Sequence, residues 1–179
     1  AAMNHPAAPR HIILIGMPAC GKSTVGVLAA KTLGYRFIDS DLIIQERDGR
    51  RLHRIIREEG QEGFLAIEEA VNLTLGNDPH PTVIATGGSA VYSPAAMAHF
   101  KSVGTVVYLR LSFETVQRRL GNFTHRGVVM PAGYTLRDLY EERCALYEKY
   151  ADITVDEGQT DNIGAVLESL CRHFERETE

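Results

Sequence analysis

A run of β-formers, His11-Ile-Ile-Leu-Ile15, ends at Gly16 and continues as Met-Pro-Ala-Cys-Gly21-Lys22-Ser23-Thr24, after which Val25, Leu28, Ala29 and Leu33 recur at helical spacing. The stretch from Gly16 to Thr24 therefore matches G-x-x-x-x-G-K-[ST] in the setting where that pattern has a mechanical meaning, between a strand and the helix it opens. Glycines there let backbone N–H groups turn inward around phosphate oxygens, and the helix N-terminus adds partial positive charge. Lys22 is expected to reach the outer phosphates and Ser23 to ligate Mg²⁺. Gly16, Ala19, Cys20, Gly21, Lys22, Ser23 and Thr24 are thus the expected ATP-binding residues. A module that binds a nucleotide without reacting it has the same loop, so binding and catalysis are separated only by other residues.

Those residues follow in order. Gly34 closes the first helix, and Tyr35 to Asp39 reads as a second strand that delivers Asp39 and Asp41 at or just beyond its end. Leu42 to Leu75 carries helical patterns broken at Asp48-Gly49 and Glu59-Gly60, which predicts two or three short helices. Thr82 to Thr86 is a strand stopped by Gly87-Gly88, Pro94 to Phe100 a helix, Val103 to Leu111 a strand and Phe113 to Leu120 a helix. Leu136 to Tyr150 is a helix, Ile153 to Val155 a short strand and Ile163 to Phe174 a closing helix. Strands alternating with helices and lacking hairpin signals imply an α/β chain with a parallel, doubly wound sheet. With 179 residues, 44% of them hydrophobic, the chain closes one core as one domain, 1–179. The aperiodic stretch from Gly121 to Gly133 is long for a compact domain and marks a functional loop.

Charge and cysteine usage narrow the partners. A formal net charge of −4 argues against an extended nucleic-acid footprint, which needs a basic face to release counterions. Cys20, Cys144 and Cys171 are odd in number and widely spaced, with no C-x-x-C pair, which suggests a reducing cytoplasm rather than a disulfide framework or zinc site. The apolar runs are far short of the roughly 20 residues needed to span a bilayer. Residues 1–10 are small and Pro-containing and are expected to be a flexible lead-in.

Taken together, Gly16 to Gly26, Leu33-Gly-Tyr-Arg-Phe-Ile-Asp-Ser-Asp41, Val83-Ile-Ala-Thr-Gly-Gly88, Arg126 and Glu142-Arg-Cys-Ala-Leu-Tyr147 resemble the shikimate kinase family over nearly the whole chain. The resemblance implies a three-layer P-loop kinase fold with a five-stranded parallel sheet, a helical substrate-binding insert (42–76) and a mobile lid (121–133). It implies a monomer, free of nucleic acid and membrane, that transfers the γ-phosphoryl of MgATP to a hydroxyl of a small polar metabolite, with shikimate the first candidate. On the same basis Lys22, Asp41 and Arg126 are catalytic. Asp39 joins Ser23 in holding Mg²⁺, and Arg119 stacks on adenine. Asp41, Gly87, Gly88 and Arg143 meet the acceptor. From the residues alone, the acid pair at a strand end could instead be solvated and Arg143 an exposed partner of Glu142 or Glu148.

The chain departs from the family at the acceptor end. Where the family reads Phe-Arg-x-x-Glu, this chain reads Phe64-Leu65-Ala66-Ile67-Glu68, so an Arg that would pair with an acceptor carboxylate is Leu65. The third residue of Gly-Gly-Gly is Ser89, the lid carries Arg126-Gly127-Val128 in place of Arg-Pro-Leu, and Ala19 replaces a loop glycine. Losing a charge-assisted partner typically costs a few kcal/mol. The sequence accordingly leaves open a kinase of this fold with another hydroxylated acceptor, with Arg54 or Arg57 as substitute charges, and a non-catalytic ATP-binding protein.

Overall fold

A computed structural model describes residues 10–18, 20–120, 128–156 and 162–175. Five strands, β1 (His11–Ile15), β2 (Arg36–Asp39), β3 (Thr82–Ala85), β4 (Gly104–Arg110) and β5 (Ile153–Asp156), form one sheet in the order β2-β3-β1-β4-β5. All four neighbouring pairs are parallel. Every residue of β1 and β3 is buried, as expected for strands covered on both faces, and this is why both read as unbroken β-forming runs without alternation. Edge strand β2 is only partly covered.

The connecting helices are α1 (Lys22–Leu33), α2 (Ser40–Asp48), α3 (Leu52–Asn72), α4 (Pro94–Val103), α5 (Phe113–Leu120), α6 (Leu136–Tyr150) and α7 (Ile163–Arg172). Helix α1 packs against α7 and β3, while α4 and α6 pack against β4. The break expected at Glu59-Gly60 is present inside α3, where Gly60 takes φ 72° and ψ −178°, backbone angles open to glycine and strained for other residues. A short 3₁₀ turn, Ala90–Tyr92, stands after β3 where the sequence carried no periodic signal.

Register determines where the chemistry gathers. Leu14 pairs with Ala85, and Ala85 with Asp39, so the chain leaves β1, β2 and β3 at one level. Gly16, Asp41 and Gly87 each follow within two residues of those paired positions, and Thr86 ties the edges together by donating both its N–H and its hydroxyl to Leu14 O (3.1 and 2.8 Å). In an open α/β sheet, ligands collect at this carboxyl edge, where successive connections run to opposite sides of the first strand. Here β2 and β3 lie on one side of β1, and β4 and β5 on the other.

Candidate active site

Lys22 is the first residue of α1, and the helix opens on Gly21 in the left-handed conformation (φ 81°), an N-cap without a side chain. The Lys22 ammonium is folded onto its own loop, donating to Gly16 O (2.7 Å) and Met17 O (2.8 Å), with Cys20 Sγ at 3.6 Å. Exposed Ser23 donates its hydroxyl to Asp39 Oδ2 at 2.6 Å. The other Asp39 oxygen caps α2 by accepting from the N–H groups of Asp41 (2.9 Å) and Leu42 (3.3 Å). A strand-end aspartate that caps the next helix thus places Asp41 in that helix's first turn, facing the loop.

Asp41, Lys22 and Arg143 line one cleft of about 360 Å³, together with Gly21, Ser23, Thr24, Gly87, Gly88 and Ser89. Burial, reinforced by the nearby Asp39 charge, pushes the Asp41 carboxyl up to about 6, against the opposing pull of Lys22. Gly87 and Gly88 form the floor because side chains would not fit. A Cβ on Gly87 would stand 2.7 Å from Asp41 Oδ1 and 2.8 Å from Glu68 Oε2, and one on Gly88 would stand 2.8 Å from an Arg143 guanidinium nitrogen. The Tyr147 hydroxyl fixes this floor by donating to Gly88 O at 2.6 Å.

Arg143 is 1% exposed, which rules out the surface pairing with Glu142 or Glu148 left open by its sequence position. One terminal guanidinium nitrogen donates to Val129 O (2.7 Å), and the group lies over the Tyr92 ring at 5.4 Å. Its Nε is buried without a partner. A buried cation with unspent donors beside a cleft is suited to an anionic ligand.

Glu68 is a cleft residue that the sequence reading did not single out. Its side chain is 2% exposed. Oε1 accepts from Ser89 Oγ at 2.7 Å, and Oε2 has no partner. A signal was available, because Phe64, Glu68 and Val71 share the buried face of α3 and a carboxylate on such a stripe is rarely idle. Burial pushes the carboxyl up to about 7. The neighbouring Asp41 adds to the rise, while the Ser89 hydrogen bond and the Arg143 charge oppose it.

This shift has a consequence for stability. The folded chain keeps the Glu68 proton over a range, from 4.5 to about 7, in which the unfolded chain has released it, so stability declines as pH rises through that window. Asp41 adds a decline of the same sign below about 6, which leaves the upper part of the window to Glu68. Between pH 6 and 8 we expect a loss of about 1 kcal/mol that is absent in Glu68→Gln. Urea denaturation at the two pH values measures it, and an equal loss in the variant would assign the decline elsewhere.

Other expected positions fall around the cleft. Arg119 of α5 lines a separate cavity of about 280 Å³ behind the loop, with Cys20, Gly21, Arg118 and Ile163. Leu65 lines a third cavity of about 230 Å³ that shares Glu68 and Ser89 with the main cleft. Neither Arg54 nor Arg57 lines the cleft, and Arg54 is engaged with Glu58 at 2.7 Å. Ala19 and Arg126 lie outside the described residues.

The Ser23 hydroxyl and the Asp39 carboxylate are hard oxygen donors, which fits Mg²⁺. Among the described residues no group of three or more His, Cys, Asp or Glu side chains forms a metal cage. None is needed, because Mg²⁺ commonly takes one or two protein oxygens and completes its shell with phosphates and water.

Residues 18–175 match the family model described as shikimate kinase. A shikimate kinase of Thiobacillus denitrificans is 40% identical over 148 residues, covering 82% of this chain and 80% of its own. One from Paracidovorax citrulli is 36% identical over 168 residues, covering 92% and 91%. Among solved structures, shikimate kinase from Acinetobacter baumannii in complex with shikimate superposes with a TM-score of 0.84 at 29% identity, covering 96% of each chain. The Aquifex aeolicus shikimate kinase gives 0.78 at 31% identity, covering 90% of this chain and 94% of its own.

Proposed function

The chain belongs to the shikimate kinase family, and from that premise we propose how its own residues carry out ATP-dependent phosphorylation of shikimate. It is a phosphotransferase with an alcohol group as acceptor, and its donor is MgATP. The observation that carries the residue assignment is the single cleft in which Lys22, Asp41 and Arg143 face one another. Phosphoryl transfer asks little covalent chemistry of a protein and depends on positioning and on compensating charge.

Asp41 accepts the hydrogen bond of the acceptor hydroxyl and takes its proton as the hydroxyl oxygen attacks the γ-phosphorus and the bond to the ADP oxygen breaks. Lys22 leaves its loop carbonyls for the phosphate oxygens and balances the charge that spreads over them. Ser23 and Asp39 hold Mg²⁺, which when bound neutralises phosphate charge. Arg143 pairs with the acceptor carboxylate, while Gly87 and Gly88 let backbone approach the ring. The cavity beside Arg119 receives the adenine. We assign 42–76 to acceptor binding and 121–133, with Arg126, to a lid over the phosphates. The chain is read as one domain acting as a cytoplasmic monomer on small molecules, without nucleic acid or membrane. No described helix is long and apolar enough to cross a membrane.

A coupled assay for ADP release with shikimate, ATP and Mg²⁺ tests this reading. We expect shikimate-dependent ADP formation, and a fall of at least a hundredfold when EDTA exceeds Mg²⁺. ATP binding without shikimate-dependent turnover would instead support the non-catalytic alternative.

A further inference from the structure

Arg143 serves the acceptor end of the cleft without a second cation. Among the described residues that line the cleft, Lys22 and Arg143 are the cations, and Lys22 belongs to the phosphate loop. Leu65, in the adjoining cavity, brings no charge. Glu68 is close enough for the Arg143 charge to act on it, yet among the described residues the two form no ion pair, and Glu68 Oε1 accepts from Ser89 instead. A lone guanidinium grips a carboxylate through N–H bonds directed in its own plane, so the orientation of that plane decides how well it binds.

One terminal nitrogen of Arg143 donates to Val129 O at 2.7 Å. The other stands at the cleft floor, 2.8 Å from the point where a Cβ on Gly88 would lie, and donates to no described residue. Nε is buried without a partner. A hydrogen bond at one nitrogen alone leaves the group free to rock about that bond. Tyr92 removes this freedom, because the guanidinium carbon lies over its ring, 5.4 Å from the centroid. A cation within about 6 Å of an aromatic face is attracted to it, most strongly when shielded from water, and Arg143 is 1% exposed.

The ring is in turn fixed to the floor. Ala90 N–H donates to Gly87 O, Tyr92 N–H to Ser89 O and Ser93 N–H to Ala90 O, each at 3.1 Å, so the 3₁₀ turn carries the aromatic ring and the floor glycines as one piece. Tyr147, one turn after Arg143 on α6, ties that helix to the same floor through Gly88 O.

We propose that Tyr92 is a positioning residue for the acceptor: its ring holds the Arg143 guanidinium in the plane from which the nitrogen beside Gly88 meets the acceptor carboxylate. The inference rests on the reading of Arg143 as the carboxylate partner and deepens it. No bond of the transfer step changes at Tyr92, so its contribution lies in acceptor binding and not in turnover at saturation.

The probes are shikimate and its primary amide, which keeps the ring and the hydroxyls and removes the negative charge. The parent should favour shikimate by about tenfold or more in kcat/KM, the size of one charge-assisted contact. Tyr92→Leu raises KM for shikimate about tenfold, with kcat and KM for ATP within about twofold of the parent. It leaves KM for the amide within about threefold, so the preference for the carboxylate collapses. Tyr92→Phe keeps the ring and stays within about threefold of the parent for both acceptors. Tyr92→Phe with the ring perfluorinated keeps the shape and reverses the charge of the face, so it raises KM for shikimate as Tyr92→Leu does and decides the point should Tyr92→Leu fold poorly.

A parent preference for shikimate that survives both ring changes, or an equal loss with the two acceptors, overturns the inference and leaves the kinase reading intact. A parent that uses shikimate and its amide equally well removes Arg143 as carboxylate partner and the inference with it. Failure to phosphorylate either acceptor overturns the kinase reading as well.

Discussion

Replacing Lys22 with Met lowers kcat/KM for phosphorylation by about a thousandfold, roughly 4 kcal/mol of transition-state stabilisation. The magnitude follows from where the ammonium sits. Lys22 is 8% exposed, at the head of α1, within a loop whose backbone is arranged around it. Its contacts to Gly16 O and Met17 O hold Nζ at the mouth of the cleft, ready to exchange two neutral carbonyls for phosphate oxygens that gain charge during transfer. Methionine keeps the length and apolar stem and removes only the charge, so the fold should persist, with thermal unfolding shifted by a few degrees at most. Arginine restores the charge but brings a planar fork into a space shaped for a point cation, so Lys22→Arg should recover less than a tenth of the activity. Steady-state kinetics with both variants check the assignment. Activity within tenfold of the parent in Lys22→Met would remove Lys22 from the transfer step.

The loop was legible in the sequence because its parts are local: a buried strand, glycines, then a lysine opening a helix. The ranges of α1 and α5 were legible for the same reason, since their apolar residues recur at helical spacing. Less accessible were residues whose role depends on what lies across the cleft. Arg143 and Glu68 occupy buried stripes of α6 and α3, where a charged side chain interrupts the apolar pattern and passes for a surface position until the partner element is known. The 3₁₀ turn at Ala90–Tyr92 is too short to carry a period. Leu65 shows the other side of this difficulty. Its sequence neighbours indicate a missing charge, but only the packing shows that Leu65 shares a cavity with Glu68, one of whose oxygens accepts from Ser89.

Asp41→Asn should lower kcat by about a thousandfold, within the range expected for loss of a general base, while changing KM for shikimate less than tenfold. The split between the two constants is what distinguishes a base from a binding group. The amide retains an oxygen that can accept the acceptor hydroxyl, so the acceptor still binds, but it cannot take the proton when the phosphorus is attacked. In the parent, Asp41 acts only when ionised. With its carboxyl raised to about 6 by burial and by Asp39, kcat/KM should therefore rise with pH through about 6, and this acidic limb should be missing from the residual activity of Asp41→Asn. Asp39→Asn should behave differently. It weakens the oxygen partner of Ser23 and the cap of α2 while leaving the Asp41 carboxylate in place, so its main effect should be a higher Mg²⁺ requirement. Were Asp41→Asn to raise KM and spare kcat, Asp41 would be a binding residue, and the proton would have to leave by way of the phosphoryl oxygens or water.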